Sequence, residues 1–539
     1  MARLGVGIEL VGRHTEVKGL TAALDRAAAG RPTGVLLSGE AGVGKSRLVA
    51  EAAERATAAG FTVLVGRCLD TGDSALPYLP FTEIVGSLAA TRPELVAEHV
   101  ALRHLLPGYR EDARSPSAVP REDRALGQLQ VFDAVLSALA DLTATAPALV
   151  VVEDLHWADR SSRDLLVFLL SRLTGQRLVV LASYRADDVH RRHPLRPVLS
   201  ELVRLPAVER VEVAPLGPAE AVELVRLLAA GTLSEPMIRS AARRSEGNAF
   251  FAEELVSASS DGMPHGLAEV LVARVEGLPP ATQRVLRIAA VAGRRVRHDQ
   301  LAAVAGLDVD ELEQSLRDAA THHVLVAEES PPTGGDTYVF RHELLREAIY
   351  QELLPGERSR LHAAYAALLA DAPAAGGRAA ELAHHAMAGH DLPLALAASV
   401  RAAREANERE APAEMLQHAE RAIELWTAVP DAERVAGVDE GTLTRWAAWG
   451  ASATGDPDRG IALGRRALEL AEERGDPCLT SSIARRYALR LLELPGRERE
   501  AMAAARRSLE LVADEPAGEH AAWAHAVLAR ALLRLDRVA

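Results

Sequence analysis

The sequence of 539 residues holds two cysteines, Cys68 and Cys478, far apart along the chain. Their scarcity excludes a disulfide-stapled scaffold and a cysteine-type metal pair, and it suits a reducing compartment. Lysine stands only at Lys18 and Lys45, and asparagine only at Asn248 and Asn407. Alanine, arginine and leucine fill the space, as expected of GC-rich codons, so a surviving lysine is a candidate for a position where arginine will not serve. Excess positive charge is missing too. Sixty-one Lys plus Arg against 75 Asp plus Glu give a net charge of −14. That argues against a chain whose whole surface wraps nucleic acid and leaves only a local basic face open. No apolar run approaches the roughly 18 residues of a membrane span; the most apolar stretches are Ala148–Val152 and Leu178–Ala182. Met1–Leu10 lacks the apolar run and cleavage site of a signal peptide. The expectation is a cytoplasmic globular protein of three or four domains, at about 150 residues each.

What is present begins with alternation. Short apolar runs at Gly34–Gly39, Phe61–Arg67, Ala148–Glu153 and Arg177–Tyr184 are separated by helical patterns, which predicts a parallel sheet covered by helices. A fifth strand, Arg210–Val213, alternates with charge and reads as an edge. The polar stretch Pro107–Glu122 reads as a loop or insertion. From Ala219 to about Gly277 the pattern is helical only. Beyond Leu278-Pro279-Pro280 come three helical patterns, a strand at His323–Glu328, a turn at Pro331–Gly335 and a strand at Thr337–Arg341, a winged-helix outline. After about Ala372 everything is helical and alanine-rich. One phrase recurs there, at Arg421–Leu425, Arg466–Leu470 and Arg507–Leu511. Such a period fits paired helices stacked as a solenoid similar to tetratricopeptide repeats. The expected domains are therefore 1–215, 216–277, 278–355 and 356–539. The last helical pattern, Glu519–Leu535, lacks a polar cap, which hints at a longer natural protein or a covering partner.

Chemistry is concentrated at three strand ends. Gly39-Glu40-Ala41-Gly42-Val43-Gly44-Lys45-Ser46 is a complete GxxxxGK[ST] phosphate loop between an apolar strand and a helix. Glycines let backbone N–H groups turn toward phosphate oxygens, and the helix that follows points its positive end at them. Lys45 is a compact charge for β- and γ-phosphates, and the Ser46 hydroxyl is a Mg²⁺ ligand. Leu149–Val152 leads into Glu153 and Asp154, the form of a Walker B pair, one acid for the Mg²⁺ shell and one for an attacking water. Glu precedes Asp here, the reverse of the commoner order. By register Glu153 takes the metal side and Asp154 the water side, but the swap leaves that assignment open and suggests slow hydrolysis. Arg185 ends the next strand, where a cation can sense the γ-phosphate. The pairs His322-His323 and His384-His385 point about 100° apart on a helix, a poor arrangement for sharing a metal. Five arginines within Arg284–Arg297 are the one local candidate for contacting DNA.

The phosphate loop, Val151-Val-Glu-Asp-Leu-His-Trp-Ala-Asp159, Ser183-Tyr-Arg185, Ser245-Glu-Gly-Asn-Ala-Phe-Phe251 and Phe340-Arg-His-Glu-Leu-Leu-Arg-Glu-Ala-Ile-Tyr350 occur in this order. Together they resemble the large ATP-binding regulators of the LuxR family, among the signal-transducing ATPases with numerous domains. The resemblance implies an α/β P-loop ATPase of the AAA type, followed by a helical lid, a winged helix and an all-α repeat superhelix. It implies ATP or ADP with Mg²⁺ as ligands, Arg185 as first sensor, Gly247–Phe250 near the base and His342 near the β-phosphate. It also implies an inducer or protein partner at the repeats and nucleotide-dependent self-association. Ala249 stands where the family usually has proline. The helix-turn-helix that ends such regulators has no counterpart after Glu519, so DNA binding would need a missing domain or the winged helix.

Overall fold

A computed structural model of the chain describes residues 10–69, 76–106, 127–257, 275–328, 336–371, 378–514 and 518–536. The Pro107–Glu122 insertion and the Pro331–Gly335 turn lie outside these residues. The chain divides into two compact units, with the main boundary between Ala372 and Pro373.

In the first unit the five strands are β1 (Thr33–Gly39), β2 (Thr62–Arg67), β3 (Ala148–Glu153), β4 (Leu178–Arg185) and β5 (Val208–Val213). They form one parallel sheet in the order β2-β3-β4-β1-β5. Every residue of β1, β3 and β4 is buried, which is why these strands read as unbroken Val and Leu runs. β5 sits at the edge and exposes its charged residues. Helices α1 (His14–Ala28) and α2 (Lys45–Ala58) cover one face, packing Leu20, Leu24, Leu48 and Val49 on Val35, Leu37, Val151 and Leu181. Each such buried Val or Leu contributes about 1.5–3 kcal/mol over exposure. That pins the register, and the register places Gly39 beside Arg185.

The chain continues through α3 (Leu79–Thr91), α4 (Pro93–Glu98), α5 (Gly127–Thr145), α6 (Arg160–Ser171) and α7 (Leu195–Leu202) among the strands just described. Three helices follow: α8 (Pro218–Ala229), α9 (Glu235–Arg244) and α10 (Ala249–Ser257), joined around Val225, Ile238 and Leu255. Next, helices Pro280–Ala292, His298–Ala305 and Val309–Thr321 accompany an antiparallel sheet of β6 (Arg295–Arg297), β8 (Thr337–Phe340) and β7 (Leu325–Glu328), in that order. β6 has no counterpart in the sequence reading, because three residues are too few to show alternation. Helices Glu343–Glu352 and Pro355–Asp371 close the unit, with Leu345 and Tyr365 in the same core as Val285, Leu316 and Phe340.

The second unit is helical. Its helices run Arg378–Ala388, Leu392–Glu408, Pro412–Trp426, Ala432–Ala436, Glu440–Ala453, Pro457–Arg474, Pro477–Leu491, Glu498–Glu510 and Glu519–Asp536. The turns are written locally. Gly475 stands in the left-handed region (φ +73°) and ends one helix; the Asp476 carboxylate accepts from Leu479 N at 3.0 Å, and Pro477 opens the next. The recurring phrase falls on Pro412–Trp426, Pro457–Arg474 and the end of Glu498–Glu510. Its second residue, Ala422, Ala467 or Ser508, is 0% exposed each time, so only a small side chain fits between the helices. Among the described residues, no helix is long and apolar enough to cross a membrane.

Candidate functional site

The phosphate loop leaves β1 at Gly39 and enters α2 at Lys45. Gly42 (φ +76°) and Gly44 (φ +109°) take conformations that disfavour side chains. At Gly42 space is also short, since a Cβ would lie 2.8 Å from Asn248 Oδ1 and 2.9 Å from Phe250 Cβ. Lys45 is buried and its Nζ donates to the carbonyls of Gly39 (2.8 Å) and Glu40 (2.7 Å). Burial lowers the Lys45 ammonium to about 8, with Asp154 opposing the shift and Arg185 adding to it. α2 begins at this loop, and the first turn of a helix is the part that favours an anion.

Two segments far away in sequence hold the loop in shape. Arg13, buried ahead of α1, donates to Val43 O (3.0 Å) and Ala214 O (2.7 Å). Asn248 donates from Nδ2 to Ala41 O (2.8 Å) and accepts from Phe251 N (3.2 Å), capping α10, while Phe250 N donates to Gly42 O (3.0 Å). The scarce Asn248 thus ties the loop to the helix that follows Gly247. Sequence reasoning placed Gly247–Phe250 near a base and did not foresee this clamp.

The two acids after β3 part company. Asp154 turns into the left-handed region (φ +58°), which Asp tolerates better than most residues, and lines the cavity above the loop. The Glu153 carboxylate instead accepts from Arg67 Nε at 3.3 Å, across the strand pair β2–β3, and does not line that cavity. Arg185 closes β4 with its guanidinium 4.9 Å over the Trp157 ring and 3.2 Å from Glu347. Beneath it lies His156, whose imidazole burial holds down to about 3, so it stays neutral.

One cavity of about 270 Å³ gathers these groups. Gly42–Ser46, Asp154 and Arg185 form one wall, and Arg294, Arg341 and His342 face it from the segment after residue 278. Leu10, Val11, Leu216, Leu224, Leu228 and Phe250 add apolar lining. His342 stacks near Phe250, ring centres 4.1 Å apart, and its Nε2 lies 3.8 Å from Glu253, which also pairs with Arg341. Of the residues singled out from sequence, Gly42, Val43, Gly44, Lys45, Ser46, Asp154, Arg185 and His342 meet at this cavity. Gly39, Glu40 and Ala41 reach it only through the loop's hydrogen bonds, and Glu153 stands behind. A lining that is part cationic and part apolar suits a phosphorylated molecule with an aromatic base. The hydroxyl of Ser46 and the carboxylate of Asp154 are the hard oxygen donors that Mg²⁺ prefers.

Of the arginines of 284–297, Arg284 and Arg287 are exposed and the other three are half-buried. Arg284 donates to Ala305 O (3.0 Å), Arg294 to Asp154 (2.7 Å), Arg295 to Glu83 (2.8 Å) and Glu328 (3.0 Å), and Arg297 pairs with Asp299. Four of the five are spent on the protein's own oxygens. Glu98, His99 and Asp141 are one further group at metal-ligand spacing, with ligand atoms within 4.8 Å, and they lie outside this cavity.

Residues 9–181 match the family model of the AAA ATPase domain. An uncharacterized protein of Rhizobium meliloti (strain 1021) is 26% identical over 396 residues, 66% of this chain and 36% of that protein. The chain therefore spans little more than a third of the curated relative it matches. A signal transduction ATPase with numerous domains and a tetratricopeptide repeat sensor, from Pyrococcus horikoshii, is 15% identical with a TM-score of 0.48, covering 99% of this chain and 75% of that one. A Walker-type ATPase of Pyrococcus abyssi is 17% identical with a TM-score of 0.32, covering 63% and 96%.

Proposed function

We propose that this chain is an adenine-nucleotide-dependent signalling switch of the transcription-regulator type. The observation that carries the reading is the convergence of Gly42–Ser46 of the phosphate loop, Asp154, Arg185 and His342 on one partly apolar cavity. Phosphates sit against the loop N–H groups and Lys45, which exchanges its hold on the Gly39 and Glu40 carbonyls for phosphate oxygens. Bound Mg²⁺ would supply positive charge that offsets the charge on the phosphates. Ser46 and Asp154 hold it. Arg185 faces the outermost phosphate, His342 and Phe250 approach from the opposite wall, and the base takes the apolar lining.

Hydrolysis is a slow reset rather than the output. Glu153, the acid next to Asp154, is engaged by Arg67 and stands away from the cavity, so the second acid has little access to an attacking water. The segments 216–277 and 278–355 act as a helical lid and a winged helix that close the nucleotide cleft. The repeats beyond them receive an inducer or a protein partner, and nucleotide exchange governs self-association. Sedimentation velocity with ADP and with a slowly hydrolysed ATP analogue tests the switch. Two nucleotide-dependent states are expected. Identical behaviour with both, or turnover of several per second without a partner, contradicts it.

A further inference from the structure

Gly293 ends the helix Pro280–Ala292 at φ +115°, a conformation open to glycine and strained for other residues. The two residues that follow are both arginines, and they reach different acids. Arg294 Nη1 donates to Asp154 Oδ2 at 2.7 Å, with the side chains 12% and 13% exposed. Arg295 takes Glu328 at 3.0 Å and Glu83 at 2.8 Å. Glu328 in turn holds Arg67 at 3.1 Å, and Arg67 holds Glu153 at 3.3 Å. A chain of ion pairs therefore links Glu153, the last residue of β3, to β7 and β6, and a separate pair joins Asp154 to the residue just before β6. At this burial, an acid left without its cation is strongly disfavoured.

We propose that Arg294 competes with a divalent metal for Asp154, so that metal entry and release of the β6 end of the antiparallel sheet are one exchange. The inference rests on the nucleotide-binding reading above and adds the regulation of its metal position. A guanidinium and Mg²⁺ held by the one carboxylate of Asp154 repel each other, so each weakens the other's hold. Metal entering at Oδ2 would displace Arg294. Because Arg294 immediately precedes β6 and its carbonyl accepts from Phe340 N (3.0 Å), its movement pulls on the β6–β8 edge. Arg294 is thus a positioning residue that sets how much metal the site requires. It is not a ligand of the phosphates.

The test titrates Mg²⁺ into full-length protein carrying a fluorescent ATP analogue, and separately measures that analogue's affinity in EDTA. In Arg294→Gln the half-saturating Mg²⁺ is expected to fall at least tenfold, with affinity in EDTA falling by less than tenfold. Arg294→Lys, which keeps the charge, should stay nearer wild type. An unchanged Mg²⁺ requirement overturns the proposal. So does a tenfold loss of affinity in EDTA, which would make Arg294 a phosphate ligand. Should Arg294→Gln fail to fold, hydrogen exchange on the wild type decides. Adding Mg²⁺ to the nucleotide-loaded protein should speed exchange at residues 295–297 and 337–340, and no change there overturns the proposal. Failure of the wild type to bind the analogue at all, with or without Mg²⁺, sinks the nucleotide-binding reading itself and the inference with it.

Discussion

Replacing Asn248 separates two jobs that one side chain performs. Its Nδ2 holds the Ala41 carbonyl at 2.8 Å and its Oδ1 caps α10 through Phe251 N at 3.2 Å. Asn248→Ala removes both. The net loss is about 1 kcal/mol for the neutral hydrogen bond and about 1 kcal/mol for the cap. Only the first acts on the phosphate loop, so nucleotide affinity should fall about fivefold, the equivalent of about 1 kcal/mol. Asn248→Asp keeps an acceptor for Phe251 N but sets a carboxylate against the Ala41 carbonyl. It should weaken nucleotide at least as much as alanine does while sparing α10. Calorimetric titration of ADP measures the first quantity, and hydrogen exchange across residues 249–257 measures the second. Affinity within twofold of wild type in both variants would refute the idea that this amide preorganises the loop.

Other consequences are more local. With the Lys45 ammonium lowered to about 8, phosphate binding should raise it again, so nucleotide binding at pH 8 takes up about half a proton and weakens as pH rises above 8. Calorimetry in two buffers of different ionisation enthalpy detects this, and no uptake would speak against Lys45 as the phosphate contact. Gly42→Ala meets both a positive φ and a 2.8 Å approach to Asn248, and should lose tenfold or more in nucleotide affinity by the same titration. In the repeats, Ala467→Leu forces a large side chain into a site with 0% exposure and should cost about 1–3 kcal/mol, read from the urea midpoint of the helical transition.

The parallel sheet was legible because β1, β3 and β4 are buried along their whole length, and burial on both faces leaves a continuous apolar signature. β6 escaped because three residues, two of them arginines, carry no such pattern. The phosphate loop was legible because its chemistry is local: eight consecutive residues make the turn. The groups that shape the rest of the cleft are not local. Arg13 reaches Ala214 across 201 residues, Asn248 reaches Ala41 across 207, and Arg294 reaches Asp154 across 140. The five arginines within 284–297 read as a basic patch until tertiary contacts give Arg294 and Arg295 their acids. The apolar lining of the cavity was hidden for a related reason. Leu224 and Leu228 look like ordinary helix-face residues, and Leu216 like part of the link before α8, until they are set beside the loop.

The central claim is that this cleft holds adenine nucleotide through Lys45. Purified protein is denatured and its released nucleotide identified, and ATP and ADP are then titrated into wild type and Lys45→Ala. The account predicts adenine nucleotide bound by the wild type and binding lost in the variant. No binding to wild type at millimolar nucleotide, or equal binding by both proteins, would contradict it.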